Sequence, residues 1–301
     1  MLEALIPYIE MPSKTLADLP LIGPLKLQVF GPLVAVGVIF GMNRVLAYAK
    51  HKDIDELIAR DLMFWILVFG FTISHWVSVI FYSPETVVEN PLVLVMIWNG
   101  LSSVGGVLGA FIGLIWYLRK MKQPLLIYSD ALVFGFVVGF TFGRLGCSLV
   151  HDHPGAFVED LPAYLTWLEP LAVGPWPGSQ GRYRLDLGLL EFIYDLGIVL
   201  FVHFVYGWRK DRRPGQLAGL VAFLYAPMRF LLDFGRGAQD PRYFGLTTAH
   251  YASLAIFAAG VYLLFLRKER AEDRTWARDS DRIARERAAA GPAPSSDKPA
   301  E

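Results

Sequence analysis

Cysteine is almost missing from this 301-residue chain: Cys147 stands alone, so no intrachain disulfide can form. Net charge is missing as well. Twenty-eight Lys and Arg balance 28 Asp and Glu, which removes the basic surface that nucleic-acid binding requires. Charge of either sign is scarce, at 19% of residues, below the share expected of a soluble domain. The first residues hold Glu3 and no early Lys or Arg, so no cleavable signal peptide is expected. No internal repeat is visible, which argues against a solute transporter built from paired repeats and broken helices.

What the chain does have is apolar length. Hydrophobic residues make up 54%, and the mean hydropathy is +0.41. A spanning helix needs roughly 20 mostly apolar residues. Seven windows qualify: 27–48, 62–82, 92–118, 127–149, 187–207, 216–234 and 249–266. The fourth and sixth are the weakest, because each carries an arginine. The expected fold is an all-α integral membrane protein of seven transmembrane helices.

The loops between the windows alternate in charge. Lys50, Lys52 and Arg60 follow the first, whereas 83–90 holds Glu85 and Glu89 and no cation. Arg119, Lys120 and Lys122 follow the third, and Arg209, Lys210, Arg212 and Arg213 crowd one short loop. The positive-inside rule makes these basic loops cytoplasmic. The N-terminus is then outside and the C-terminus inside, and the long loop 150–186 is a small extracytoplasmic head. Residues 1–26 read as an interfacial segment, with a weak amphipathic stretch at Leu2, Leu5, Ile6 and Ile9. Residues 267–301 read as a charged, partly disordered tail.

Three constellations carry chemistry. Gly143-Arg144-Leu145-Gly146 closes the fourth window and precedes His151-Asp152-His153, Pro154 and Gly155. An arginine at a span centre costs about 2.5–3.5 kcal/mol on insertion scales, so Arg144 reads as a binder of an anionic group, or else as a snorkelling side chain. The glycines permit a helix break and Pro154 an end, which would free backbone N–H groups for an anion. His151 and His153 bracket Asp152 and are candidate general bases. Their H-x-H spacing suggests zinc, but no third ligand is evident, so no metal and no cofactor are expected.

The second constellation is Tyr225, Arg229, Asp233 and Arg236. Spacings of i, i+4, i+8 and i+11 stack them on one helix face. The stripe is either an internal Arg229–Asp233 ion pair or a polar cleft for a phosphate. The third is the small-residue run 98–110, with Gly105 and Gly106, which reads as tight helix packing or as the wall of a cleft. Glu191 is expected to pair with Arg184 or with a cleft arginine. His75 reads as a helix–helix hydrogen bonder, and His203 and His250 as interfacial residues.

These motifs resemble the phosphatidylglycerol–prolipoprotein diacylglyceryl transferases of bacterial inner membranes. Residues 143–155 resemble the family signature G-R-x-G-N-F-x-N-x-E-x-x-G, and residues 225–236 resemble Y-x-x-x-R-F-x-x-E-F-x-R. Residues 98–110 resemble W-x-G-G-M-S-F-H-G-G-x-x-G-A. The resemblance implies transfer of diacylglycerol from phosphatidylglycerol to the lipobox cysteine of a prolipoprotein signal peptide. A thioether forms and glycerol-1-phosphate leaves. It implies a membrane-bound enzyme, and a monomer is expected. Arg144, Arg229 and Arg236 match family arginines; Tyr225, Asp233, Gly155, Gly105, Gly106 and Glu191 fall at substrate-facing motif positions. The chain departs from the pattern at Phe30, Val104, Cys147, Val150 and Asp152, which replace Tyr, His, Asn, Asn and Glu. His75 replaces an arginine, and the H-P-S-Q-L-Y-E motif is reduced to 185–191. His151 or His153 would then supply the missing base. The alternative is a catalytically degenerate paralogue that binds phospholipid or lipoprotein precursor without turnover.

Overall fold

A computed structural model describes residues 6–11, 14–19, 23–96, 100–209, 211–236, 242–268, 270 and 289. The chain is mostly helical: α1 Phe30–His51, α2 Glu56–Val77, α3 Pro84–Glu89, α4 Ser103–Lys120, α5 Leu125–Val150, α6 Leu187–Phe201, α7 Gln216–Asp233 and α8 Thr248–Val261. Among the described residues, five stretches are long and apolar enough to cross a membrane: Phe30–His51, Glu56–Phe81, Leu125–Val150, Leu187–Tyr206 and Thr248–Leu266. The other two expected spans are α4 and α7. Each has 18 residues, about 27 Å of helix, and each carries two charged residues (Arg119 and Lys120, Arg229 and Asp233).

Four of the helices, α2, α4, α6 and α8, start on side-chain caps. Asp55 accepts the Leu57 amide at 2.8 Å, and Asp186 accepts the Leu189 amide at 3.0 Å. Thr247 caps α8 in a reciprocal box with His250. The third expected span needs correction. Residues 91–95 form a 3-10 turn behind Pro91, and the helix begins only at Ser103. Gly100, at φ +88°, turns the chain, and Ser102 caps α4 by accepting the Gly105 amide at 3.3 Å.

α5 is the hub, packed on α1, α6 and α7. Small residues bring α1 and α5 together: a Cβ on Gly37 would lie 2.8 Å from the Gly139 carbonyl. α2 packs chiefly on α4, and α7 on α8. The buried Asp130 of α5 accepts the Gly215 and Ala218 amides at 2.9 and 2.8 Å, which ties it to the start of α7. Much of the remaining surface is apolar and exposed, for example Val107, Phe111, Phe136 and Leu200, as a lipid-facing surface is.

Residues 150–186 fold over one end of the bundle. β1 Ile6–Pro7, β4 Pro154–Phe157, β5 Val173–Gly174 and β6 Arg184–Asp186 form one sheet in the order β1-β5-β6-β4. Leu165, Leu168, Leu185 and Leu187 form a separate small core beneath it. In the N-terminal segment Ile6 and Pro7 join that sheet, with Ile6 paired to Val173. β2 Lys14–Leu19 and β3 Gly23–Leu27 form a hairpin. Leu2, Leu5 and almost all of the expected tail lie outside the described residues.

Candidate functional site

α5, α6 and α7 converge on one polar cluster. Arg144 Nε of α5 lies 2.7 Å from Glu191 Oε2 of α6. Glu191 Oε1 accepts from Arg229 Nη1 of α7. Arg229 Nη2 is 3.2 Å from Asp233 Oδ1, and Arg236 Nε donates to the same oxygen at 2.8 Å. The cluster is nearly closed to solvent: the Glu191 and Asp233 side chains are 2% and 0% exposed, and those of Arg144, Arg229 and Arg236 are 14%, 12% and 21%. Three guanidiniums thus share two carboxylates. Tyr225 packs edge-on against Phe140, whose ring lies under the Arg144 guanidinium. The stripe expected on α7 is real, and its ion pair extends across helices to Glu191. Arg184 is not Glu191's partner; its Nε donates to the Gly155 carbonyl at 2.8 Å.

The far end of the cluster is anchored by residues that the sequence reading undervalued. Thr247 Oγ1 donates to Asp233 Oδ2, and His250 Nδ1 lies 3.4 Å from that oxygen. His250 is fully buried, not interfacial, because its place in the first turn of α8 points it at Asp233. His203 is also largely buried, with Nδ1 3.1 Å from the Val199 carbonyl of the preceding turn. His75 lies 2.7 Å from the Val93 carbonyl and 3.1 Å from that of Gly100, so it holds the loop before α4. Asp195, one turn beyond Glu191, is buried, and its Oδ2 has no hydrogen-bond partner among the described residues.

The expected helix break at Gly143–Gly146 does not occur. α5 continues to Val150. Gly146 serves close packing instead, since a Cβ there would lie 2.9 Å from the Phe30 ring. The helix ends at His151, in the left-handed region at φ 52° and ψ 37°. The His151 and Asp152 amides both reach the Cys147 carbonyl, which folds Asp152 and His153 back over the last turn. Cys147, Asp152 and His153 then present ligand atoms all within 4.8 Å of one another. Of the H-x-H pair only His153 belongs to this group, and Cys147 joins it from inside the helix.

The two histidines part company. His151 Nδ1 lies 2.6 Å from Asp186 Oδ2, its Nε2 3.2 Å from the Ile9 carbonyl, and its ring stacks on Tyr8 at 4.3 Å. His153 Nδ1 pairs with Asp152 Oδ1 at 2.5 Å, and that pair is half-open to solvent. Gly155 brings the head against α7: it bridges Arg236, and a Cβ there would lie 2.9 Å from the Gly235 carbonyl. Gly105 and Gly106 are elsewhere. They sit on the α2–α4 seam, where a Cβ on Gly105 would lie 2.8 Å from the Ile73 carbonyl. Val104 beside them is exposed. Trp98 and Asn99 lie outside the described residues.

The chain is 26% identical over 254 residues to the phosphatidylglycerol–prolipoprotein diacylglyceryl transferase of Staphylococcus xylosus, covering 82% of this chain and 87% of that one. The enzymes of the same name from Chromohalobacter salexigens and Polynucleobacter asymbioticus are 28% and 29% identical over 225 residues. Those alignments cover 73% and 71% of this chain and 79% and 77% of the relatives. The prolipoprotein diacylglyceryl transferase family model matches residues 19–266, the whole helical body and head, and the chain belongs to that family.

Proposed function

We propose that this chain transfers the diacylglyceryl group of phosphatidylglycerol to the cysteine thiol of a prolipoprotein signal peptide, forming a thioether and releasing glycerol-1-phosphate. One observation carries the reading: Arg144, Arg229 and Arg236 are held side by side by two shared carboxylates at the junction of three helices. Departure of a phosphate needs cations placed where negative charge develops. Glu191 and Asp233 fix the three forks in advance, so little reorganisation accompanies bond breaking. Tyr225 lies beside Arg144 and suits the same headgroup.

Activation of the thiol falls to the end of α5, about two turns beyond Arg144, where Asp152 and His153 are. His151, fastened to Asp186 and Ile9, holds the fold of that corner. The positive-inside pattern puts this end of the bundle outside the cytoplasm, where a precursor's signal peptide emerges in the inner membrane.

Expression in cells depleted of their own transferase tests the reading. Growth and lipid-modified lipoproteins should return with the wild-type chain. Arg144→Ala and Arg229→Ala should each cut transfer about a hundred- to a thousandfold, as loss of a group that stabilises developing charge does. The competing reading is a binder without turnover, favoured by apolar Val104 at the family's histidine position. It predicts phosphatidylglycerol co-purifying with a chain that never rescues.

A further inference from the structure

We propose that Cys147, Asp152 and His153 form a three-ligand site for a zinc-class divalent cation, whose open position takes the acceptor thiol. The inference rests on the transferase reading above and names what activates its nucleophile. The donor set is one thiolate, one carboxylate and one imidazole, with ligand atoms already within 4.8 Å of one another. Zinc takes these donor types, and three protein ligands with one vacant position is its catalytic arrangement. The thiolate disfavours magnesium and calcium, which want oxygen.

Burial is graded in the way an open site needs. Cys147 forms the floor at 7% exposure, while the His153 and Asp152 side chains are 26% and 44% exposed. The charge balance also fits. A dication with one thiolate and one carboxylate is neutral, and the charge that an acceptor thiolate adds meets nearby Arg144, which is only partly compensated because its partner Glu191 is shared with Arg229. Cys147 follows Arg144 by three residues on α5, on the same helix face. A thiol held by the metal therefore lies next to a phosphate held by the arginines. Val104, where the family has a histidine, offers no titratable group. A metal makes that loss tolerable, because a coordinated thiol is deprotonated outright.

The step balances. The acceptor thiol binds as thiolate, and its proton passes to water at the exposed edge of Asp152. A sulfur electron pair forms the C–S bond to the glyceryl carbon while the C–O bond to phosphate breaks. The electron pair leaves with glycerol phosphate, whose charge the arginines receive. Nothing is oxidised or reduced.

Cobalt(II) reports such a site. Tag-free, full-length protein in detergent, stripped with a chelator, should bind one equivalent of cobalt chloride with a sulfur-to-metal charge-transfer band. Cys147→Ser should abolish the band, and His153→Ala should weaken binding about a hundredfold. A lipobox peptide bearing cysteine should increase the band, and its serine analogue should not. No band in the wild-type protein, or a band unchanged in Cys147→Ser, overturns the site. A band indifferent to the cysteine peptide overturns the thiol-binding role. These spectra need no turnover, so they fail or succeed independently of the rescue experiment that tests the transferase reading.

Discussion

The α5–α6–α7 junction and the α2–α4 seam use opposite materials at similar depth. The first is built from Arg144, Glu191, Arg229 and Asp233, charged groups almost closed to solvent and paired in a chain. The second is built from Gly105, Gly109 and Gly113, whose missing side chains let α4 lie against Ile73, Phe69 and Trp65. Charge placed in lipid must find partners, so the junction is a paired polar cluster fixed across three helices. Small residues in lipid find backbone, so the seam is packing. The glycine run has the composition of a cleft wall, but its partner is another helix.

Glu191→Ala strikes the first region hardest. It leaves Arg144 and Arg229 buried around an empty position, and breaking a buried pair from one side costs about 3–5 kcal/mol. The thermal midpoint in detergent should fall, and Glu191→Gln should recover part of the loss by keeping a hydrogen-bond acceptor. Equal midpoints for wild type and Glu191→Ala would mean that the carboxylate does not hold the arginines. The matching experiment on the second region is Gly109→Leu. Any Cβ there lands on the Phe69 carbonyl, with Gly70 Cα at 3.0 Å, and overpacking of this kind costs about 1–3 kcal/mol. The seam is separate from the arginines, so the midpoint should drop while phosphatidylglycerol binding by the surviving folded protein is unchanged. A fall in binding would return the glycine run to the site.

The spacing of Tyr225, Arg229 and Asp233 was readable because a helix repeats every 3.6 residues, and α7 presents those three as counted; α7 ends at Asp233, and Arg236 reaches the same carboxylate from the turn that follows. Windows of apolar residues likewise located the helical body. Two things were not readable, and a third only in part. That Glu191 meets a cleft arginine was expected, but it is 47 residues from Arg144 and 38 from Arg229, and only the packing of α6 between α5 and α7 selects those two over Arg184. His250 looked interfacial by its position near a span end, yet the capping box buries it on Asp233. Cys147 looked like a solitary thiol within a helix. The left-handed residue at His151, which sequence does not announce in a non-glycine, turns Asp152 and His153 back onto it. Local periodicity survives translation into structure, whereas contacts made by a helix end or by a third helix do not.

The same corner separates its two histidines. His151→Ala strands Oδ2 of the fully buried Asp186, whose Oδ1 still accepts the Leu189 amide, so the cost should be about 1–3 kcal/mol. His153→Ala breaks a pair that is half-open to water, and such pairs contribute about 1 kcal/mol or less. Chemical denaturation of both variants should therefore rank them in that order. The reverse order would make His153 the structural member.

The pH dependence of that difference is the finest probe of the corner. Burial holds the Asp186 carboxyl above its ordinary range and outweighs the hydrogen bonds from His151 and the Leu189 amide, which act to lower it. A carboxyl whose folded pKa exceeds its unfolded value, about 3.9, binds its proton more tightly in the folded chain. Its contribution to stability is complete below that value and is lost as pH rises through the folded pKa. His151→Ala removes a lowering influence and pushes the folded pKa further up, so the mutant loses more over the same climb. As pH rises from about 3.5 through and above the ordinary carboxylate range, the stability gap between wild type and His151→Ala should widen. A gap that stays constant would show that Asp186 does not titrate against His151, and would leave the stacking of Tyr8 as the main tie at this corner.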